Sequence, residues 1–346
     1  MHGRIDSIQY IRGIAALLVA WFHFTVSSAN FLAPGFLKST GTYGWTGVQM
    51  FFVISGFVLP YSLFVGRFKT REFGRFALKR IIRLEPPYLV SIALTAAVAF
   101  AAAVVPGYRG GPPGYTVPQI ASHLGYLVEL LDYRWINPVY WTLAIEFQFY
   151  LLVGLLFPLV SSPKRWVRLA TLAALTASAW TITPQKFVFP FLFFFMIGFV
   201  AFQYRTRLIG PIEAAVTALT IATIGSFRQD PAGIIAALIA ALIIATVGEV
   251  RFGHSVLMFL GDISYSLYLI HVPVGGRVVN LGERLGGGVG TKLAVLTVAL
   301  AVTLVAAYLM YRLVEKPFQL YASSIKYGAR PAVVVLADPP VATSRT

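Results

Sequence analysis

Asp6-Ser7-Ile8-Gln9-Tyr10-Ile11-Arg12-Gly13-Ile14-Ala15-Ala16-Leu17-Leu18-Val19-Ala20-Trp21-Phe22-His23-Phe24-Thr25 places an arginine and a histidine inside an otherwise apolar run. A run of this length fits a membrane-crossing helix, which needs about 20 residues. An ionisable group in the bilayer core costs at least ~2.5–3.5 kcal/mol on insertion scales. Arg12 and His23 are therefore expected to face a cavity or a partner and to mark function. The same reasoning extends outward to Glu146 in a central apolar run and to His271 near the end of a late one.

Composition agrees with a membrane protein. The 346 residues are 58% hydrophobic and 12% charged, with a formal net charge of +15, and the mean hydropathy is +0.75. Basic residues lie between the apolar runs, so the positive-inside rule explains the charge better than nucleic-acid binding does. The absence of cysteine removes disulfides, a thiolate nucleophile and Cys-based metal sites, and no metal is expected. The first run is too long for a leader's apolar region and shows no small-residue cleavage site, so it is expected to stay in place.

The spacing predicts an all-α, polytopic membrane protein with about ten spans, roughly 10–30, 45–65, 84–106, 138–160, 166–182, 187–204, 211–227, 232–250, 256–275 and 291–313. Residues 118–131 read as an interfacial helix. The connection after the second span carries Arg67, Lys69, Arg71, Arg75, Lys79, Arg80 and Arg83. That bias predicts both termini on the cytoplasmic side. Residues 1–320 form the expected transmembrane domain, and residues 321–346 an expected cytoplasmic disordered tail.

At 1.5 Å per residue, His23, Glu146 and His271 fall in one outer layer of that topology. Imidazole is the usual general base at neutral pH, and a neighbouring carboxylate can set its tautomer. Such a layer suits proton abstraction from a hydroxyl for acyl transfer. The alternatives are histidines bonded to backbone carbonyls, a structural Glu146 hydrogen bond, or a proton pathway. Arg80 and Arg83 are three apart and share a helix face. That pair can grip phosphates through bidentate bonds or anchor lipid phosphates.

Six motifs in order resemble those of the membrane acyltransferase 3 family of O-acyltransferases. They are Ile5 to Val19 with Phe22-His23, which holds Arg, ten residues, then His; Phe51-Phe52-Val53-Ile54-Ser55-Gly56-Phe57; Arg80-Ile81-Ile82-Arg83; Tyr140-Trp141-Thr142-Leu143-Ala144-Ile145-Glu146-Phe147-Gln148-Phe149-Tyr150; Ser264-Tyr265-Ser266-Leu267-Tyr268-Leu269-Ile270-His271; and Val314-Glu315-Lys316-Pro317-Phe318. The resemblance implies transfer of an acyl group from cytoplasmic acyl-CoA, usually acetyl-CoA, to a hydroxyl, often on a glycan outside. It implies His23 as base or acyl carrier and Glu146 as its partner or an acceptor-site residue. It also implies Arg12, Arg80 and Arg83 as donor-binding residues, and Ser55, Trp141, Tyr150 and His271 as substrate-binding residues.

The opening from Ile8 to Gly13 is similar to exopolysaccharide acetyltransferases in particular. The expected location is the inner or plasma membrane. Expected partners are membrane lipids, an acyl-CoA and a glycan or other hydroxylated acceptor; nucleic acid is not among them, and a homo-oligomer is left open. Two rivals remain at this stage: acylation of a small hydroxylated metabolite such as an antibiotic sugar, and a transporter or flippase of a lipid-linked sugar.

Overall fold

The computed structural model describes residues 6–28, 31–105, 113–246 and 255–327. Among the described residues every regular element is helical. The helices are α1 (Asp6–Thr25), α2 (Phe36–Ser39), α3 (Gly47–Val65), α4 (Phe73–Ala103), α5 (Val117–His123), α6 (Trp141–Val160) and α7 (Arg165–Thr181). They continue with α8 (Leu192–Arg205), α9 (Pro211–Ser226), α10 (Pro231–Thr246), α11 (Ser255–Ile270), α12 (Arg277–Glu283), α13 (Val289–Met310) and α14 (Lys316–Ser324).

Each of the ten apolar windows read from the sequence overlaps one of these helices. Among the described residues, five stretches are long and apolar enough to cross a bilayer alone. A sixth qualifies if the bent pair of α11 and the helical stretch after it, 57° apart, is one span. Helices α8, α9 and α10 have 14, 16 and 16 residues. At 1.5 Å per residue they are shorter than a hydrocarbon core of ~30 Å. Gly210-Pro211 and Asp230-Pro231 set the starts of α9 and α10, since proline is favoured in the first helical turn, where its missing N–H costs no bond.

The expected helix over 118–131 is shorter than predicted. It runs from Val117 to His123, capped by Thr116, whose hydroxyl accepts from the Gln119 N–H. His123 then closes the turn: its Nδ1 donates to the Gln119 carbonyl, and its Nε2 accepts from the Ile136 N–H. Burial lowers its pKa below the usual imidazole range, which keeps this carbonyl-facing tautomer neutral. At the far end α14 extends to Ser324. Ile325–Tyr327 pack back on α4 and on Phe68. The rest of the expected tail lies outside the described residues.

Two glycine-mediated crossings organise the bundle. Helix α8 is apolar all round and buried from Leu192 to Gln203, as expected for a central helix. It packs on α3 where Gly56 and Gly198 meet: a Cβ on Gly56 would stand 2.2 Å from the Phe195 carbonyl oxygen. Helices α1 and α11 form the most extensive helix pair. There a Cβ on Gly13 would stand 2.8 Å from Leu260 Cβ, and one on Gly261 would stand 2.3 Å from the Gln9 carbonyl oxygen. Small residues at a crossing let two backbones approach closely enough for dispersion to hold them without a hydrophobic drive.

The α1–α11 pair is parallel, and the register matters. His23 lies ten positions after Gly13, and His271 ten after Gly261. Both histidines therefore sit about 15 Å beyond the same contact. Gly261→Val is expected to force the helices apart, a type of overpacking that costs ~1–3 kcal/mol. The check is the thermal midpoint of the detergent-solubilised protein. It should fall by several degrees, while Gly74→Ala, whose added Cβ meets nothing within 4 Å, should leave it unchanged.

Candidate active site

At the far end of the α1–α11 pair the two histidines meet. His271 is fully buried, and its Nε2 lies 3.2 Å from His23 Nδ1. The tautomers follow from the other partners, because carbonyls only accept. His271 Nδ1 donates to the Tyr268 carbonyl at 2.7 Å, so its Nε2 carries the lone pair. His23 Nδ1 donates to the Val19 carbonyl at 2.9 Å and shares that hydrogen with His271 Nε2. Neutral His23 is thereby left with a free lone pair on Nε2. This is the work that a carboxylate does for the imidazole of a catalytic triad, done here by a second imidazole.

The backbone around His271 is arranged for this. Pro273 has no N–H to give the Leu269 carbonyl four residues earlier. Asn137 supplies the missing donor: its Nδ2 donates to Leu269 O at 3.2 Å, while its Oδ1 accepts from Val139 N–H in the short turn Pro138–Tyr140 that leads into α6. The chain passes into a π-helical turn, Val272–Gly276, in which Gly276 N–H bonds the His271 carbonyl at 2.9 Å. Asn137 therefore ties α6 to the break after His271. Sequence reasoning passed it over, although the Asn-Pro pair before a span and the His-Val-Pro break were both visible.

A cavity of about 340 Å³ occupies the end of the bundle where α1 begins. Arg12, Arg80, Arg83, Ser55, Glu146 and Tyr150 all line it, as do Tyr265, Tyr268, Thr142 and Glu315. The Arg80 guanidinium is buried; it donates to Ser62 Oγ at 3.0 Å and lies over the rings of Phe76 and Tyr150. Arg12 lies within electrostatic range of Arg83, Glu315 and Glu146. Glu315 is fixed by the N–H and Oγ of Ser266, at 3.1 and 2.7 Å, and by Gln319.

The cavity thus sets three guanidinium groups against two carboxylates. A surplus cation out of bulk water favours an anionic ligand, because an uncompensated buried charge is costly.

The layer expected from depth divides in two. Glu146 does not bond His23 among the described residues. Its Oε1 accepts from Ser55 Oγ at 2.5 Å, inside the arginine cavity. Ser55 is thereby a hydrogen-bond donor to a carboxylate. Trp141 lies outside the cavity lining and packs against Phe191, ring centroids 5.3 Å apart.

Tyr268 separates the cavity from the histidines. Its hydroxyl bonds Thr142 at 2.7 Å and the Val139 carbonyl at 3.1 Å. Its ring meets Phe51 on one side and His271 on the other, each 5.8 Å between centroids. Glu315, Thr142 and Tyr268 lay within the quoted motifs, but nothing in their spacing marked them as lining a site. No three His, Asp or Glu side chains cluster to hold a metal among the described residues.

A family model described as an acyltransferase domain matches residues 5–312. The chain belongs to the membrane acyltransferase 3 family. This acyltransferase is also similar to acyltransferase MdmB of Streptomyces mycarofaciens, 29% identical over an alignment of 371 positions that covers 91% of each protein. No solved structure matches it. The family match and the apolar helices make it a multi-pass membrane acyltransferase.

The imidazole pair makes a prediction independent of activity. In 15N-histidine spectra of the acyltransferase, His23 is expected as the Nδ1–H tautomer. His271→Ala should bring in Nε2–H signal, and His271→Gln, which keeps an acceptor, should hold the original tautomer. An unchanged spectrum in His271→Ala would show that the Val19 carbonyl alone sets the ring.

Proposed function

We propose that the protein moves an acetyl or other short acyl group from cytoplasmic acyl-CoA to a hydroxyl of a surface or secreted polysaccharide or its lipid-linked precursor. The observation that carries this reading is the adjacency of two sites. An anion-seeking cavity lined by Arg12, Arg80 and Arg83 ends at Tyr268, and beyond Tyr268 lies an imidazole with a free lone pair. Charges of this kind have a use when a phosphate-bearing donor enters from one end and an acceptor hydroxyl from the other.

The basic connection between α3 and α4 supports a cytoplasmic cavity end. The likeness of Ile8 to Gly13 to exopolysaccharide acetyltransferases supports the glycan acceptor.

In this mechanism Arg80 and Arg83 hold donor phosphates as charge-assisted bonds. Arg12, balanced by Glu315, lies deeper along the donor's arm. His23 Nε2 takes the proton of the acceptor hydroxyl while that oxygen attacks the thioester carbonyl carbon. The carbon–sulfur bond breaks, and the proton passes from His23 to the leaving thiolate. The products are an ester and free CoA. Positive charge on His23 is shared with His271, whose lone pair faces it. Glu146, held by Ser55, balances the cavity's arginines and is not the histidine's partner in this scheme.

Two measurements test this reading. The O-acetyl content of the host's polysaccharide, by proton NMR, is expected to vanish on deletion and to return with the wild type but not with equally expressed His23→Ala. A general base contributes about 10²–10⁴-fold. Acetylation that persists on deletion would move the acceptor to a small hydroxylated metabolite. Replacing both Arg80 and Arg83 by Ala is expected to raise the KM for acetyl-CoA by roughly tenfold or more. An unchanged KM in a well-folded variant would assign the pair to topology instead.

A further inference from the structure

Two buried donor atoms at and beside the donor end of the cavity have no partner among the described residues. One is Arg80 Nε, and the other is the hydroxyl of Tyr327. Buried polar groups are nearly always satisfied, so each orphan asks for an explanation. The two are neighbours through Ser62 and Gly66: Arg80 donates to Ser62 Oγ at 3.0 Å, and a Cβ on Gly66 would stand 2.9 Å from the Ser62 carbonyl and 2.7 Å from the Tyr327 ring. Both are donors, and neighbouring donors that lack an acceptor favour an anion. Burial raises the pKa of the Tyr327 hydroxyl, so it remains protonated and able to donate at neutral pH.

Tyr327 reaches this position on a strap that follows α14. Lys79 Nζ donates to the Ile325 carbonyl at 3.4 Å and lies 5.2 Å from the Tyr327 ring centroid. The ring meets Phe68 edge-on at 5.6 Å. It also rests on the backbone of Gly66, where a Cβ would come within 2.7 Å of it. The strap is therefore seated by a cation, an aromatic ring and a glycine rather than draped on the surface. It lies beyond residue 312, where the family match ends.

We propose that the C-terminal strap completes the donor site, with the Tyr327 hydroxyl and Arg80 together binding a phosphate of the acyl donor and Lys79 pinning the strap in place. This rests on the acyl-CoA reading above. It adds a ligand-binding residue from outside the matched domain, and it makes the strap part of donor recognition. Lys79 uses one of its donors on the strap, which leaves others for the same anion.

The test uses the full chain in detergent and two probes, CoA and pantetheine, which lacks the phosphates. Tyr327→Phe removes the hydroxyl and keeps the ring's packing on Phe68 and Gly66. It is expected to weaken CoA binding by roughly tenfold, the loss of one hydrogen bond to a charged group, and pantetheine binding by less than twofold. Lys79→Met should weaken CoA in the same selective way by releasing the strap. Unchanged CoA affinity in Tyr327→Phe, or equal loss for both probes, would overturn the strap's role and leave the acyl-CoA reading standing. A wild-type protein that binds neither probe would overturn both.

Discussion

The close approach of α1 and α11 at Gly13 and Gly261 is the constraint from which the site follows. A membrane supplies little hydrophobic drive for helix association, so contact distance decides which helices pair. With no side chain on either glycine, Leu260 and the Gln9 carbonyl come into contact range. Two parallel helices in register at one point stay in register a few turns on. The imidazoles ten residues further along then have little choice but to meet. Their 3.2 Å contact is the far end of a lever whose fulcrum is the glycine pair.

The buried charges form a second system built on different elements. Arg12 comes from α1, Arg80 and Arg83 from α4, Glu146 from α6 and Glu315 from the π-helical turn Tyr311–Glu315. Each carboxylate is held by a serine, Glu146 by Ser55 and Glu315 by Ser266. This keeps the acids from collapsing onto the arginines and preserves a cationic surplus. Tyr268 links the two systems. Its hydroxyl is tied to α6 through Thr142, and its carbonyl orients His271. A single residue thus bounds the charged cavity and sets the tautomer of the imidazole that supports His23.

Helix content was legible because apolar runs between basic or Gly-Pro boundaries leave few other options in lipid. The windows 45–65, 138–160 and 211–227 are cases where the ends lie within three residues of the helices Gly47–Val65, Trp141–Val160 and Pro211–Ser226. The number of full crossings was less legible. Length decides it, and α8 and α9 are shorter than the apolar windows that suggested them. The Arg80–Arg83 pair could be read as anion-binding from spacing on one helix. Asn137 could not be read as a partner of Leu269, because the vacancy it fills is created by a proline more than a hundred residues away.

From the sequence alone came the class of protein, the helical segments, the intramembrane ionisable residues and their approximate depths. These follow from hydropathy and a rise of 1.5 Å per residue, both local properties. Depth is one coordinate out of three. It placed His23, Glu146 and His271 in a common layer, yet said nothing about which way each faced or which helices were neighbours. Tertiary structure decided that His23 pairs with His271, that Glu146 turns to Ser55 among the arginines, and that Tyr327 returns to Phe68 and Lys79. Side-chain partnership across helices depends on rotation and packing. Those are settled only when glycine contacts, proline breaks and buried hydrogen bonds are satisfied together.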